Sequence, residues 1–243
     1  MKVRCFALLA AAVLVWQSGL AADGPPTRSP REALQPFNNL VGSWKGTAKP
    51  SGTKAEQDRD FWIEKIAWEW QFKDKDAWLT VQFDKSKHFT KGTLRYVADK
   101  NHYVLTLTKL DKEELTLKGE LDEKGKVLTV ESEPDTKMEV HRIVINMLHD
   151  GERFLYRVEK RKADKTRYSM VFSVGATKEG IAFAGGGANQ PECIVSGGLG
   201  TMQVSYMGKT YYVCCSGCAT EFRANPAKYV AEYEEKKAKK DKK

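Results

Sequence analysis

Strict alternation of apolar and polar residues runs through most of the chain from about residue 42 to residue 183, and it limits the fold more than any other feature. The segment DFWIEKIAWEWQF puts Trp62, Ile66, Trp68, Trp70 and Phe72 on one face, with only Glu64 interrupting. In EELTLKGELD, Leu115, Leu117 and Leu121 alternate with Glu114, Thr116, Lys118 and Glu120, and Tyr168, Met170, Phe172 and Val174 repeat the pattern. A period of two residues marks strands with one buried face. Turn signals at 74–76, 99–101, 122–125, 150–151 and 163–164 recur every ten to fifteen residues. About ten short strands joined as hairpins predict an up-and-down antiparallel barrel over residues 32–183, because closure removes exposed sheet edges.

The ends explain the charge. The formal net charge is +8, but residues 1–22 hold Lys2 and Arg4 without an acid, and the tail 236–243 holds six Lys and one Asp. The remainder is close to neutral, which argues against a nucleic-acid binder. The tail reads as a solvated helix end that has the charge to touch an anionic surface. At the start, two cations precede an apolar run from Phe6 to Trp16 and then small residues, the layout of a secretory signal peptide cleaved after Ala21 or Ala22. That predicts an exported protein, periplasmic or secreted, with a spacer at 23–31 and no transmembrane segment in the mature chain. Cys5 leaves with the signal.

Four cysteines then remain, Cys193, Cys214, Cys215 and Cys218, all within 26 residues. Such clustering marks a local site. Residues 184–191 (AGGGANQP) read as a Gly-rich linker ahead of a module at 192–235. Within it, Met202–Tyr206 and Lys209–Val213 predict a hairpin with Met207-Gly208 in the turn. Cys214-Cys215-Ser216-Gly217-Cys218 then leads into a helix carrying Phe222, which Asn225-Pro226 stops and restarts. The hairpin brings the cysteine groups to one end, and a helix start favours thiolate over thiol. Converging thiolates suit Zn(II) or Cu(I). Two disulfides, or a redox pair at Cys215-x-x-Cys218, remain open as alternatives. No triad, paired carboxylates or phosphate loop can be read, so the expectation is a binding protein and not an enzyme.

Two resemblances add to this reading. Cys193, Val204 and Tyr206 before Gly208-Lys209, Tyr211-Tyr212-Val213-Cys214, Cys218, Phe222, and Asn225-Pro226 with Lys228-Tyr229 closely resemble the YHS/TRASH heavy-metal-binding module. That likeness implies metal ligation by Cys193, Cys214 and Cys218, with Cys215 at a variable position where it is a fourth ligand, a redox partner or a bystander. Gly42-Ser43-Trp44 at the head of the first strand resembles the opening of lipocalin-like and nitrobindin-like barrels. Such barrels hold a small hydrophobic ligand or are filled by their own side chains. A haem would need an axial His, and His88, His102, His141 and His149 are scattered singly, although His141 shares a face with Ile143 and Ile145.

Overall fold

The computed structural model describes residues 28–148, 151–179 and 191–240. The signal segment with Cys5, spacer residues 23–27, His149, linker residues 184–190 and tail residues 241–243 lie outside them.

Helix α1 (Pro30–Leu34) opens with a capping box, in which Ser29 and Glu32 satisfy each other's backbone N–H groups. A 3-10 turn, Gln35–Leu40, continues it. Ten antiparallel strands follow. They are β1 (Gly42–Pro50), β2 (Trp62–Lys73), β3 (Asp76–Asp84), β4 (Phe89–Val97), β5 (His102–Lys109), β6 (Glu114–Leu121), β7 (Val127–Glu131), β8 (Glu139–Leu148), β9 (Arg153–Lys162) and β10 (Ser169–Lys178). A short helix, α2 (Lys54–Asp60), joins β1 to β2. Each strand pairs with the next, and β1 pairs with both β2 and β10, so the sheet closes into a barrel.

The barrel interior follows the alternation. Trp62, Ile66, Trp68 and Trp70 of β2 are buried, with Leu79, Leu94, Leu105, Ile143, Phe154 and Phe172 around them. Trp44 packs edge-on against Phe154, with ring centres 4.8 Å apart, and donates its indole N–H to Leu40 at 2.7 Å. The α1 segment plugs the end of the barrel where β1 begins. Leu34, Phe37 and Leu40 are buried there, and the Tyr103 hydroxyl donates to the Ala33 carbonyl at 2.7 Å. Each such burial contributes about 2 kcal/mol.

Glu64, the one interruption of the apolar face of β2, keeps the inward parity of that face. It points into the barrel and is fully buried. One carboxyl oxygen accepts the Tyr156 hydroxyl at 2.5 Å and the other the Trp62 indole N–H at 2.8 Å. Burial, reinforced by the Glu64 charge, pushes the Tyr156 hydroxyl well above its ordinary pKa, so it stays a donor. An inward carboxyl is tolerated only when hydrogen-bonded, and these two donors meet that need.

The C-terminal module comprises β11 (Met202–Tyr206), β12 (Lys209–Val213), α3 (Ser216–Ala224) and α4 (Pro226–Lys240). Met207 (φ 48°) and Gly208 (φ 76°) make the two-residue turn that a tight hairpin demands. The module is not a free appendage. Its buried residues and those of the barrel form one contiguous core, joined where α3 begins against the end of β2. Among the described residues no helix is long and apolar enough to cross a membrane.

Candidate metal centre

Three local structures deliver the cysteines. Cys193 starts a tight turn in which its N–H donates to Gly198 at 2.6 Å and Gly197 donates back to the Cys193 carbonyl at 2.8 Å. The Ile194 N–H donates to Tyr212 of β12 at 2.9 Å, which fastens that turn to the hairpin. Cys214 follows the last residue of β12, Cys215 is the N-cap of α3, and Cys218 sits in the helix's first turn. The hairpin therefore returns the chain to Cys193.

The sulfurs of Cys193, Cys214 and Cys218 all lie within 4.8 Å of one another, and all three residues are buried. Cys214 Sγ is 3.5 Å from Cys218 Sγ and 3.9 Å from Cys215 Sγ. All four cysteines are free thiols in this structure. Three thiolates on one ion at about 2.3 Å must stand roughly 3.8–4.0 Å apart. The 3.5 Å between Cys214 and Cys218 and the 4.8 Å upper bound on the other two pairs bracket that spacing, so the donor set fits a thiophilic ion after small adjustments. Cys215 is not part of the three-sulfur group. Its sulfur accepts the backbone N–H of Trp70, on barrel strand β2, at 3.4 Å.

The thiols divide into acceptors and donors. Cys193 and Cys215 are lowered below the ordinary thiol value, in each case chiefly because Cys214 and then Cys218 donate S–H bonds to it. Cys214 is pushed up, first by its bond to Cys193, and Cys218 is pushed up first by burial. The cluster is thus set to hold negative charge at part of its sulfurs while the rest keep protons, which an arriving cation displaces.

Partners from the Cys193 turn and from the barrel surround the sulfurs. The Ser196 N–H donates to Cys193 Sγ at 3.4 Å, and Ser196 Oγ lies 3.4 Å from Cys214 Sγ. Asn38, in the 3-10 plug, donates through Nδ2 to the Ser196 carbonyl at 2.9 Å and accepts the Trp70 indole N–H at 3.0 Å. Arg31 donates to the Val195 carbonyl, pairs with Glu232 of α4 at 2.9 Å and covers the Tyr229 ring. Lys178, at the end of β10, donates to the Asn39 carbonyl at 3.3 Å. Burial lowers its pKa, and an ionised Cys214 would work against that shift.

Ser196, Asn38, Arg31 and Lys178 were not read as site residues from sequence. Among the described residues one further group of potential ligands gathers, Asp135 in the turn before β8 with Glu139 and His141 at the start of that strand. There Asp135 already accepts backbone N–H groups from Lys137 and Glu139, and Glu139 pairs with Lys160 and Lys162. His141 thus faces Asp135, 3.5 Å away.

Among known families, residues 200–233 match the YHS domain. The match takes in the hairpin, α3 with Cys214, Cys215 and Cys218, and the first half of α4, and it leaves Cys193 outside. The fold and this match together describe a β-barrel carrying a C-terminal YHS module with a cysteine cluster. A search of curated proteins finds no match to the chain.

Proposed function

We propose that the protein is an exported metal-binding protein that captures one soft or borderline ion, Zn(II) or Cu(I), through Cys193, Cys214 and Cys218, for sequestration, sensing or delivery outside the cytoplasm. The observation that carries this reading is the convergence of three buried sulfurs within 4.8 Å of one another. Thiolates favour such ions over hard cations, and the bound ion neutralises the charge that the sulfurs concentrate. The protein's own part is to hold the sulfurs together, keep water away and donate hydrogen bonds that fix their orientation. Nothing in this arrangement calls for catalysis, and we read the protein as a binder. The lysines at the end of α4 and in the tail add a basic patch suited to an anionic surface.

The test uses the full mature chain, purified anaerobically with reductant and titrated with Zn(II) and with Cu(I) against a chromophoric competitor. One ion per chain is expected, with binding lost in Cys193→Ser, Cys214→Ser or Cys218→Ser. Cys215→Ser separates its roles. Unchanged affinity makes Cys215 a bystander, and a loss comparable to the others makes it a fourth ligand. Protein isolated from its native compartment with all four cysteines in disulfides and no metal would overturn the proposal.

A further inference from the structure

The four sulfurs differ in what holds them. The Ser196 N–H donates to Cys193 Sγ and the Trp70 N–H donates to Cys215 Sγ, each at 3.4 Å. Drawing either sulfur away strands a buried backbone donor, which is costly. A bridge between the neighbours Cys214 and Cys215, whose sulfurs are 3.9 Å apart, also closes a small, strained ring. Cys214 and Cys218 are different. Among the described residues no backbone N–H donates to either sulfur, and the two sulfurs lie 3.5 Å apart. A disulfide bond is about 2.05 Å long, so rotation of the two side chains has to close a gap of about 1.5 Å.

Access orders the chemistry. Cys214 is 9% exposed, whereas Cys218 is fully buried, so a reagent from solvent meets Cys214 first. With a disulfide RSSR as oxidant, the Cys214 thiolate attacks one of its sulfurs, the RS–SR bond breaks and the first RS⁻ leaves. The Cys218 thiolate then attacks Cys214 Sγ from within the core, forms the Cys214–Cys218 bond and expels the second RS⁻. Two electrons have passed from the cysteine sulfurs to the oxidant, whose two thiolates take protons from solvent. The charge of a bound metal ion does not change. Disulfide sulfurs are uncharged and are not thiolate ligands, so the ion keeps Cys193 and loses two of its three donors.

We propose that a disulfide oxidant closes Cys214 onto Cys218 and thereby releases the ion, so that the thiol–disulfide balance around the protein governs whether the centre is loaded. The proposal rests on the reading of Cys193, Cys214 and Cys218 as a metal site. Cys193 and Cys215 stay as thiols throughout, held by Ser196 and Trp70.

The experiment uses the mature chain, reduced, loaded with Zn(II) and treated with glutathione disulfide under argon, beside a sample without the oxidant. A chromophoric chelator reads released Zn(II), alkylation after denaturation counts thiols, and peptide mapping by mass spectrometry locates the bridge. One Zn(II) is expected in solution for each bridge formed, with the four thiols falling to two. The bridge is expected between Cys214 and Cys218, with Cys193 and Cys215 alkylated, and dithiothreitol is expected to restore binding. A reduced chain that binds no Zn(II) fails the metal-site reading and this proposal with it. A loaded chain that keeps its Zn(II) after oxidation overturns this proposal alone. So does a bridge that includes Cys193 or Cys215, a mixed disulfide with glutathione that goes no further, or a loss of binding that dithiothreitol does not reverse.

Discussion

Gly217→Ala tests how closely the module is seated on the barrel. A Cβ built at Gly217 would stand 1.6 Å from the Trp70 carbonyl oxygen, and contacts under 3.0 Å are essentially never made by real Cβ atoms. The start of α3 would have to retreat by at least about 1.4 Å, because the obstacle is strand backbone. That movement breaks the 3.4 Å bond from the Trp70 N–H to Cys215 Sγ. An orphaned buried N–H costs about 1–3 kcal/mol, and the overpacking itself about 1–3 kcal/mol. The expected destabilisation is therefore about 2–6 kcal/mol, or a Tm lower by roughly 4–24 °C for a chain of this size. Helix propensity alone predicts the opposite sign, a gain of up to about 1 kcal/mol for Gly→Ala. Gly175→Ala is the control, since a Cβ there meets nothing within 4 Å. Differential scanning calorimetry of both variants with metal removed measures the difference. A Gly217→Ala protein melting within 1 °C of Gly175→Ala would refute the docking geometry.

Four further outcomes follow from the same contacts. Asn38→Ala removes the acceptor of the Trp70 indole and the donor to the Ser196 carbonyl, so it should cost about 2–3 kcal/mol in denaturant unfolding and weaken metal binding about tenfold. Glu64→Leu strands the Trp62 and Tyr156 donors inside the barrel and should cost about 2–4 kcal/mol, whereas Glu64→Gln, which keeps an acceptor, should cost less. His88 is half-buried, and burial lowers its pKa against the opposing Glu64 charge, so the unfolded chain takes up its proton first as pH falls. Its stabilising contribution is present above about pH 6.5 and lost as pH drops through the lowered folded value, and His88→Phe should flatten the fall in Tm between pH 7 and pH 5. A chelator should lower the Tm of the metal-loaded protein, and loading should weaken as pH falls, because protons compete for the three sulfurs. A competitor titration at two pH values reads that last effect.

The barrel was legible because its signal is local and repeated. Alternation in 62–72 and 114–121 places side chains regardless of what lies opposite, and a near-continuous chain of hairpins leaves few topologies. The hairpin at 202–213 and the break at Asn225-Pro226 were equally readable, since turn and helix-stop chemistry act over two or three residues. Glu64 shows the limit. It kept the inward parity of its strand and looked like an interruption, when an acid at an inner position is itself the signal of a buried polar cluster. The supports of the cysteine cluster were beyond reach for a different reason. Asn38 lies 158 residues from Ser196, and Trp70 145 residues from Cys215. No local pattern distinguishes an asparagine that will bond a distant carbonyl from one that caps a turn, and no period marks Gly217 as a residue of close approach.

These long-range contacts change what the metal centre is. The YHS match begins at residue 200, so it supplies Cys214 and Cys218 without the third sulfur. Cys193 stands on a turn held to β12 by Ile194, and the same turn is held to the barrel by Asn38 at the Ser196 carbonyl and Arg31 at the Val195 carbonyl. Ser196 in turn touches both Cys193 and Cys214. The third sulfur is therefore positioned as much by the plug of the barrel as by the module. Metal affinity is on this account a property of the joined core, because any rearrangement that closes three sulfurs on an ion must pass through Ser196 and Asn38 to the Trp70 indole inside the barrel.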